Sequence, residues 1–186
     1  EEADVVNNSA GTHKGLTAKV QILNMDASVA WEKEATVDSN EDTTNKCIKL
    51  AFPANLSKVH FIKMVLTENG KVVSDNFYHR SLEENNYQDL RQLAKVALQS
   101  TTTVDKNADG IWSAVSVIEN KTSTPALMIR LNVVGSKDGQ QLLPVFYSDN
   151  YFSLLPGEKK EVRMSWKDED TRGNEGKVLI TGYNVE

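Results

Sequence analysis

Apolar and polar residues alternate one for one through most of this sequence, and that period of two decides what the chain can fold into. Successive side chains of an extended strand point to opposite faces, whereas a helix needs a period near 3.6. Leu16, Ala18, Val20 and Ile22 point one way, and Thr17, Lys19 and Gln21 point the other. Val29, Trp31, Ala35 and Val37 repeat the pattern against Glu32, Glu34 and Thr36. The stretches around Ile48-Leu50-Phe52 and over residues 60–66 follow. Asn69-Gly70 then supplies two residues tolerant of positive φ, as a tight hairpin requires, with residues 72–78 as the returning strand.

The second half reads alike. Trp112, Ala114 and Ile118 lie opposite Ile111, Val115 and Val117, so both faces of that strand are expected to be covered. Leu127, Ile129, Leu131 and Val133 alternate with Met128, Arg130 and Asn132. Ser136-Lys137-Asp138-Gly139 turns the chain into an expected strand over 142–151. Val162, Met164 and Trp166 mark another strand, and residues 178–183 form the last. One stretch departs from the pattern: Tyr87, Leu90, Leu93 and Ala97 recur at three- and four-residue spacing after Asn86, a competent N-cap. The 186 residues allow two sandwiches of roughly 100 residues each. The fold class is therefore all-β: two tandem immunoglobulin-like β-sandwich domains over residues 1–80 and 96–186. Residues 81–95 form the connector, with one or two helical turns.

Charge and cysteine content remove other classes. Lys and Arg number 21 against 26 Asp and Glu, a net charge of −5. Nothing in that balance displaces counterions from phosphates, so neither nucleic acid nor an anionic membrane surface is an expected partner. No apolar run approaches the roughly 20 residues of a membrane span. Cys47 is the single cysteine, which excludes an intrachain disulfide and a zinc site built on several thiolates. Its thiol is expected to pack as a small hydrophobe in a strand. Glu1-Glu2-Ala3-Asp4 lacks the basic and apolar regions of a signal peptide, so the chain reads as intracellular or as a piece of something longer, and the compartment stays open.

A short echo links the halves. Ser74-Asp75-Asn76-Phe77-Tyr78 recurs as Ser148-Asp149-Asn150-Tyr151-Phe152. Each copy falls late in an expected strand, so the Asx pair should mark where the strand leaves its sheet and the aromatic pair should plug a core.

The same residues carry a resemblance. Ser148-Asp149-Asn150-Tyr151-Phe152-Ser153-Leu154-Leu155-Pro156-Gly157-Glu158, with the terminal Thr181-Gly182-Tyr183-Asn184, resembles the last immunoglobulin-like domain of glycoside hydrolase family 2 enzymes. The β-mannosidase and exo-β-glucosaminidase branch is the nearest. The first half, through Val72-Val73-Ser74-Asp75-Asn76-Phe77-Tyr78, resembles the preceding domain, and Asn86-Tyr87-Gln88-Asp89-Leu90-Arg91-Gln92-Leu93 resembles their connector. Two positions depart: His79 stands where such enzymes often have Trp, and Ala94 where they often have Pro. The resemblance implies a parent whose catalytic Glu pair lies in an upstream (β/α)₈ barrel. Such a barrel takes roughly 250 residues and has no room here. None of the matching motifs is catalytic, so no catalytic residue is carried over.

His13, His60 and His79 lie in separate segments, without the spacing of a metal or nucleophile site and with no Ser or Cys in a recognisable elbow; His60 and His79 could share paired strands. Asp105-Lys106-Asn107-Ala108-Asp109-Gly110 matches the first half of a calcium loop, but Ser116 stands where the bidentate Glu belongs. An Asx turn is the better reading. The acidic run Asp168-Glu169-Asp170-Thr171-Arg172-Gly173-Asn174-Glu175 reads as a solvated hairpin. Trp31, Trp112 and Trp166 are in phase with apolar neighbours and so are expected in the cores rather than as sugar platforms. Tyr147, Tyr151, Phe152 and Tyr183 could gather near one end of the second domain. The glycosylation triplets at Asn7, Asn55 and Asn120 carry no weight.

The expected function is a non-catalytic C-terminal accessory region of a family 2 exo-glycosidase, β-mannosidase- or exo-β-glucosaminidase-like. Catalytic, metal and cofactor sites are all expected to be none. The partner is the upstream barrel of the same polypeptide, with weak carbohydrate contact as a secondary expectation, and glycan degradation would place the parent in a periplasmic or secreted compartment. The alternatives are an autonomous carbohydrate-binding pair and a surface adhesion module.

Overall fold

The alternating segments of the first half form six strands in a computed structural model that describes residues 1–186. They are β1 (Glu2–Asn7), β2 (His13–Asn24), β3 (Val29–Ser39), β4 (Thr43–Lys49), β5 (Val59–Glu68) and β6 (Lys71–Ser81). All pair antiparallel, in a sheet ordered β3-β2-β5-β6 and a second made of β1-β4. Leu16, Ala18, Val20 and Ile22, the apolar phase of β2, join Ile62 in a core closed by Ala3, Val5 and Ile48 of the smaller sheet. Burying one Leu, Val or Ile contributes roughly 1.5–3 kcal/mol. A one-residue slip would turn the whole set to solvent, so the register is strongly specified. Asn69 at φ 50° and Gly70 at φ 75° fill the two left-handed positions of the β5–β6 hairpin, whose twist then matches that of the strands.

The second half forms seven strands: β7 (Gln99–Lys106), β8 (Ile111–Glu119), β9 (Ala126–Gly135), β10 (Phe146–Tyr147), β11 (Phe152–Leu154), β12 (Lys159–Lys167) and β13 (Gly176–Thr181). They make sheets ordered β10-β12-β8-β7 and β11-β9-β13. Ala114, Ile118, Val162, Met164 and Trp166 from the first meet Ile129, Leu131, Val133, Phe152 and Leu154 from the second. The chain thus divides into two compact units, Glu1–Gln92 and Leu93–Glu186, each with its own core.

Three local expectations are corrected. The expected strand over 142–151 reduces to Phe146–Tyr147, because the chain then leaves the sheet and Tyr151 takes φ 60°. In β8 one face is buried and the other only partly covered: Val115 is half-buried and Val117 exposed, whereas Ser116 lies buried with its hydroxyl 2.7 Å from that of Thr102. A core-facing polar group is tolerated when it finds such a partner.

The two echo copies, thirdly, are not equivalent. Asp75 and Asn76 stay in the β5–β6 ladder, opposite Val65 and Met64. Asn150 lies outside any strand; its amide donates to Leu131 O and accepts from Leu131 N–H, both at 2.9 Å. Only that second copy marks a departure from a sheet, and of the four aromatics only Phe152 is a buried core residue, whereas Tyr78 and Tyr151 are exposed. The helical spacing after Asn86 becomes a single 3-10 turn, Gln88–Gln92, with Asn86 Oδ1 accepting the Gln88 N–H at 3.3 Å.

Candidate functional site

The strand phase decides where the aromatics go. Trp166, on β12, is 2% exposed and stacks on Trp112 of β8, with centroids 6.4 Å apart and planes 10° from parallel. Trp112 is half-buried: Lys106 Nζ lies 5.3 Å from its ring centre, and its Nε1–H donates to Asp168 Oδ1 at 2.7 Å. Trp31 packs, half-buried, against the first core. All three tryptophans pack on a core, Trp166 fully and Trp31 and Trp112 in part.

Tyr147, Tyr151, Phe152 and Tyr183 have different surroundings. Phe152 is buried, and the Tyr147 hydroxyl accepts the Val133 N–H at 3.2 Å. Tyr151 is 61% exposed, with the Arg130 guanidinium 5.9 Å from its ring centre. Met128 and Arg130 share the outer phase of β9 with Asn132, opposite Leu179 and Thr181 of β13. With Tyr151 they make a mixed apolar and cationic face on this sheet. Phe146, in the short strand β10, is 70% exposed.

The loop resembling a calcium site is occupied by its own backbone. Asn107 Oδ1 accepts the Ile111 N–H at 2.8 Å, closing an Asx turn between β7 and β8. Asp168, the first residue of the acidic run, is held by Lys106 at 2.6 Å and by Trp112, and these two contacts, Lys106 first, keep its carboxyl below the usual range. A 3-10 turn over Asp168–Thr171 follows. No group of three or more His, Cys, Asp or Glu side chains is placed to hold a metal ion.

The histidines separate by environment. His13 Nδ1 lies 2.9 Å from Glu68 Oε1, and its Nε2 lies 2.9 Å from Ser9 Oγ. This Ser-His-Glu contact was invisible in the sequence, since Glu68 is distant along the chain. The serine hydroxyl donates to Asn7 Oδ1 at 2.7 Å, and the Ser9 N–H donates to the same oxygen at 2.9 Å. Neither the hydroxyl proton nor that amide is free for an acyl-transfer site, so the contact ties a loop to β5.

His60 and His79 do lie on paired strands, but one residue out of register: His79 is opposite Phe61, and His60 opposite Arg80. His79 packs edge-on to Phe61 and Phe77, both at 5.5 Å, and burial lowers its pKa. Burial likewise dominates the lowering at His60. Above the unfolded pKa of about 6.5 both states are neutral and nothing is lost. Below it the unfolded chain takes up a proton first, so stability falls until the lower folded pKa is passed. The expected result is a melting temperature for His79→Phe that exceeds wild type by a margin growing from about pH 7.5 to about pH 5. Parallel curves would remove His79 as a source of acid sensitivity.

Cys47 is half-buried, and burial pushes its thiol pKa up, which suits an unreactive structural cysteine. Asn7 and Asn120 are buried, with amides donating to Gly11 O and Leu154 O at 3.0 Å, so neither could carry a glycan.

Comparison with known proteins adds what no cluster of side chains here supplies. The family described as exo-beta-D-glucosaminidase Ig-fold domain matches residues 76–185. An exo-beta-D-glucosaminidase of Streptomyces avermitilis is 31% identical over an alignment covering 97% of this chain and 23% of that relative. The exo-chitosanase CsxA of Amycolatopsis orientalis superposes with a TM-score of 0.92 at 25% identity, over 100% of this chain and 24% of its own. A β-D-mannosidase from Dictyoglomus thermophilum superposes with a TM-score of 0.63 at 15% identity, over 98% of this chain and 20% of its own, a likeness of fold alone. The chain spans about a quarter of the length of the relatives it matches.

Proposed function

Because the chain belongs to the family of exo-beta-D-glucosaminidase Ig-fold domains, we propose that it is the non-catalytic C-terminal accessory region of a larger exo-β-glucosaminidase. The observation that carries the reading is the pairing of near-complete coverage of this chain with 23% coverage of the relative. Everything here is matched within a much longer enzyme. The parent, on this reading, removes β-linked glucosamine units from chitosan-like chains, with its acid/base and nucleophile supplied by a (β/α)₈ barrel elsewhere in the polypeptide. The β-mannosidase side of the resemblance narrows accordingly, since that likeness extends to fold only.

The role fits the chemistry described above. The tryptophans are spent on core packing. The carboxylates with clear partners hold turns and strand ends, as Asp168 does with Lys106 and Glu68 does with His13. We also propose that the two units fold as separate domains and that their exposed faces pack against the remainder of the parent, stabilising it.

Deleting residues 1–186 from the parent tests the role. The expected outcome is a parent that melts at a lower temperature or is recovered largely insoluble, with wild-type kcat retained by whatever fraction stays folded. A truncated parent as stable and as active as the whole protein would overturn it.

A further inference from the structure

Unit 1 has sheets of four and two strands, and strand order says which position of the smaller sheet is open. In an immunoglobulin-type sandwich, strands A, B, E and D share one sheet and G, F, C and C′ form the other. The order β6-β5-β2-β3 reproduces G-F-C-C′, which makes β1 strand B and β4 strand E, paired as B and E should be. The position beside B on its other edge belongs to A, the strand that precedes B in the chain.

That position is open. β1 pairs with β4 along one edge and with no strand along the other. The inner phase of β6 lies opposite core residues, with Ser74 across from Leu66, Asn76 from Met64 and Tyr78 from Ile62, yet Ser74, Asn76 and Tyr78 are all exposed. The two-stranded sheet does not reach far enough to cover them. A groove of about 310 Å³ runs between β1 and β6, floored by Met64 and Leu66, and a hollow of about 260 Å³ beside Val6 and His13 also opens onto both strands. Val6, on the groove wall, is 57% exposed. An unpaired edge of this length beside apolar surface is a template for a further strand.

We propose that this groove takes a seventh strand, antiparallel to β1 and hydrogen-bonded along its free edge. The strand is supplied by the polypeptide that precedes Glu1 in the parent, and its apolar phase covers Met64, Leu66 and the inner side of β6. The inference rests on the preceding section only in that polypeptide lies ahead of this chain; it does not depend on what the parent hydrolyses.

The test compares the 186-residue chain with a version extended upstream by about 20 residues of its own parent sequence, which allows for a strand of typical length and its turn. Amides on the free edge of β1 should exchange at least ~10-fold more slowly in the extended protein. Ser74→Lys and Asn76→Lys should be nearly neutral in the shorter chain, where both side chains are exposed, and should lower the melting temperature by several degrees in the extended one. Should the extended fragment not fold, the same substitutions are read in the whole parent, where a loss of several degrees is again expected. Unchanged β1 exchange, or equal effects of the lysines in both backgrounds, would overturn the proposal. A dimeric 186-residue chain with β1 already protected would overturn it too, by assigning the groove to a second copy.

Discussion

Replacing Trp166 by alanine should leave the second sandwich barely folded. Truncating a buried Trp typically costs about 3–5 kcal/mol, against a total of about 5–15 kcal/mol for a domain. This site can collapse little, because the ring is clamped on both sides. Trp112 stacks on one flank at 6.4 Å. On the other, the chain of β13 comes so close at Gly176 that a Cβ there would lie 2.6 Å from Trp166 Cζ2. The cavity left by alanine would therefore persist rather than fill. Chemical denaturation should show the second unit unfolding at a much lower midpoint while the first keeps its own, and Trp166→Phe should lose markedly less. A loss below about 1 kcal/mol for Trp166→Ala would mean the stacked pair is not the centre of that core.

Asn184→Ala is expected to be nearly as damaging, through a different mechanism. Asn184 is 2% exposed, and its side chain satisfies three backbone groups. Its amide donates to Ala94 O at 3.0 Å and to Pro125 O at 2.9 Å, and its Oδ1 accepts the Leu127 N–H at 3.0 Å. The chain end is thereby stitched to the entry of the second unit, where Val96 N–H also donates to Asn184 O at 2.8 Å. Alanine strands a buried donor and two carbonyls, and each unsatisfied group costs about 1–3 kcal/mol. A total near 3 kcal/mol is expected, with fast exchange of the Leu127 amide as its local signature. Asn184→Asp should not rescue, since it removes both donors and buries a charge. Wild-type stability with an unprotected Leu127 amide would show that water replaces the side chain.

These two residues also show what could and could not be seen in the sequence. Trp166 was legible as core because Val162, Met164 and Trp166 keep a strict period of two, and burial follows phase. The β5–β6 hairpin was legible because Asn69-Gly70 has few alternatives. Asn184 was legible only as part of a resemblance; its three partners lie 57 to 90 residues away, and no local pattern encodes that reach. The echo misled for a related reason. Five similar residues were placed in an edge ladder in one unit and in a loop in the other, because strand length and neighbours, rather than the residues themselves, decide whether an Asx side chain replaces a ladder bond. The Ser9–His13–Glu68 contact and the open edge of β1 likewise arise from which strands end up adjacent. Function was the least legible of all. Nothing in the strand phase separates an accessory sandwich from an adhesion module; the motif around residues 148–158 pointed to a family, and the match over residues 76–185 shows that family.

The non-catalytic role is tested most directly by turnover of p-nitrophenyl β-D-glucosaminide by the purified 186-residue chain, measured beside the whole parent at equal molar concentration. Release of p-nitrophenol is expected from the parent and none above the buffer rate from the chain, even when the chain is fully folded by circular dichroism. Saturable hydrolysis by the folded chain alone, abolished by substituting one of its own carboxylates, would contradict it.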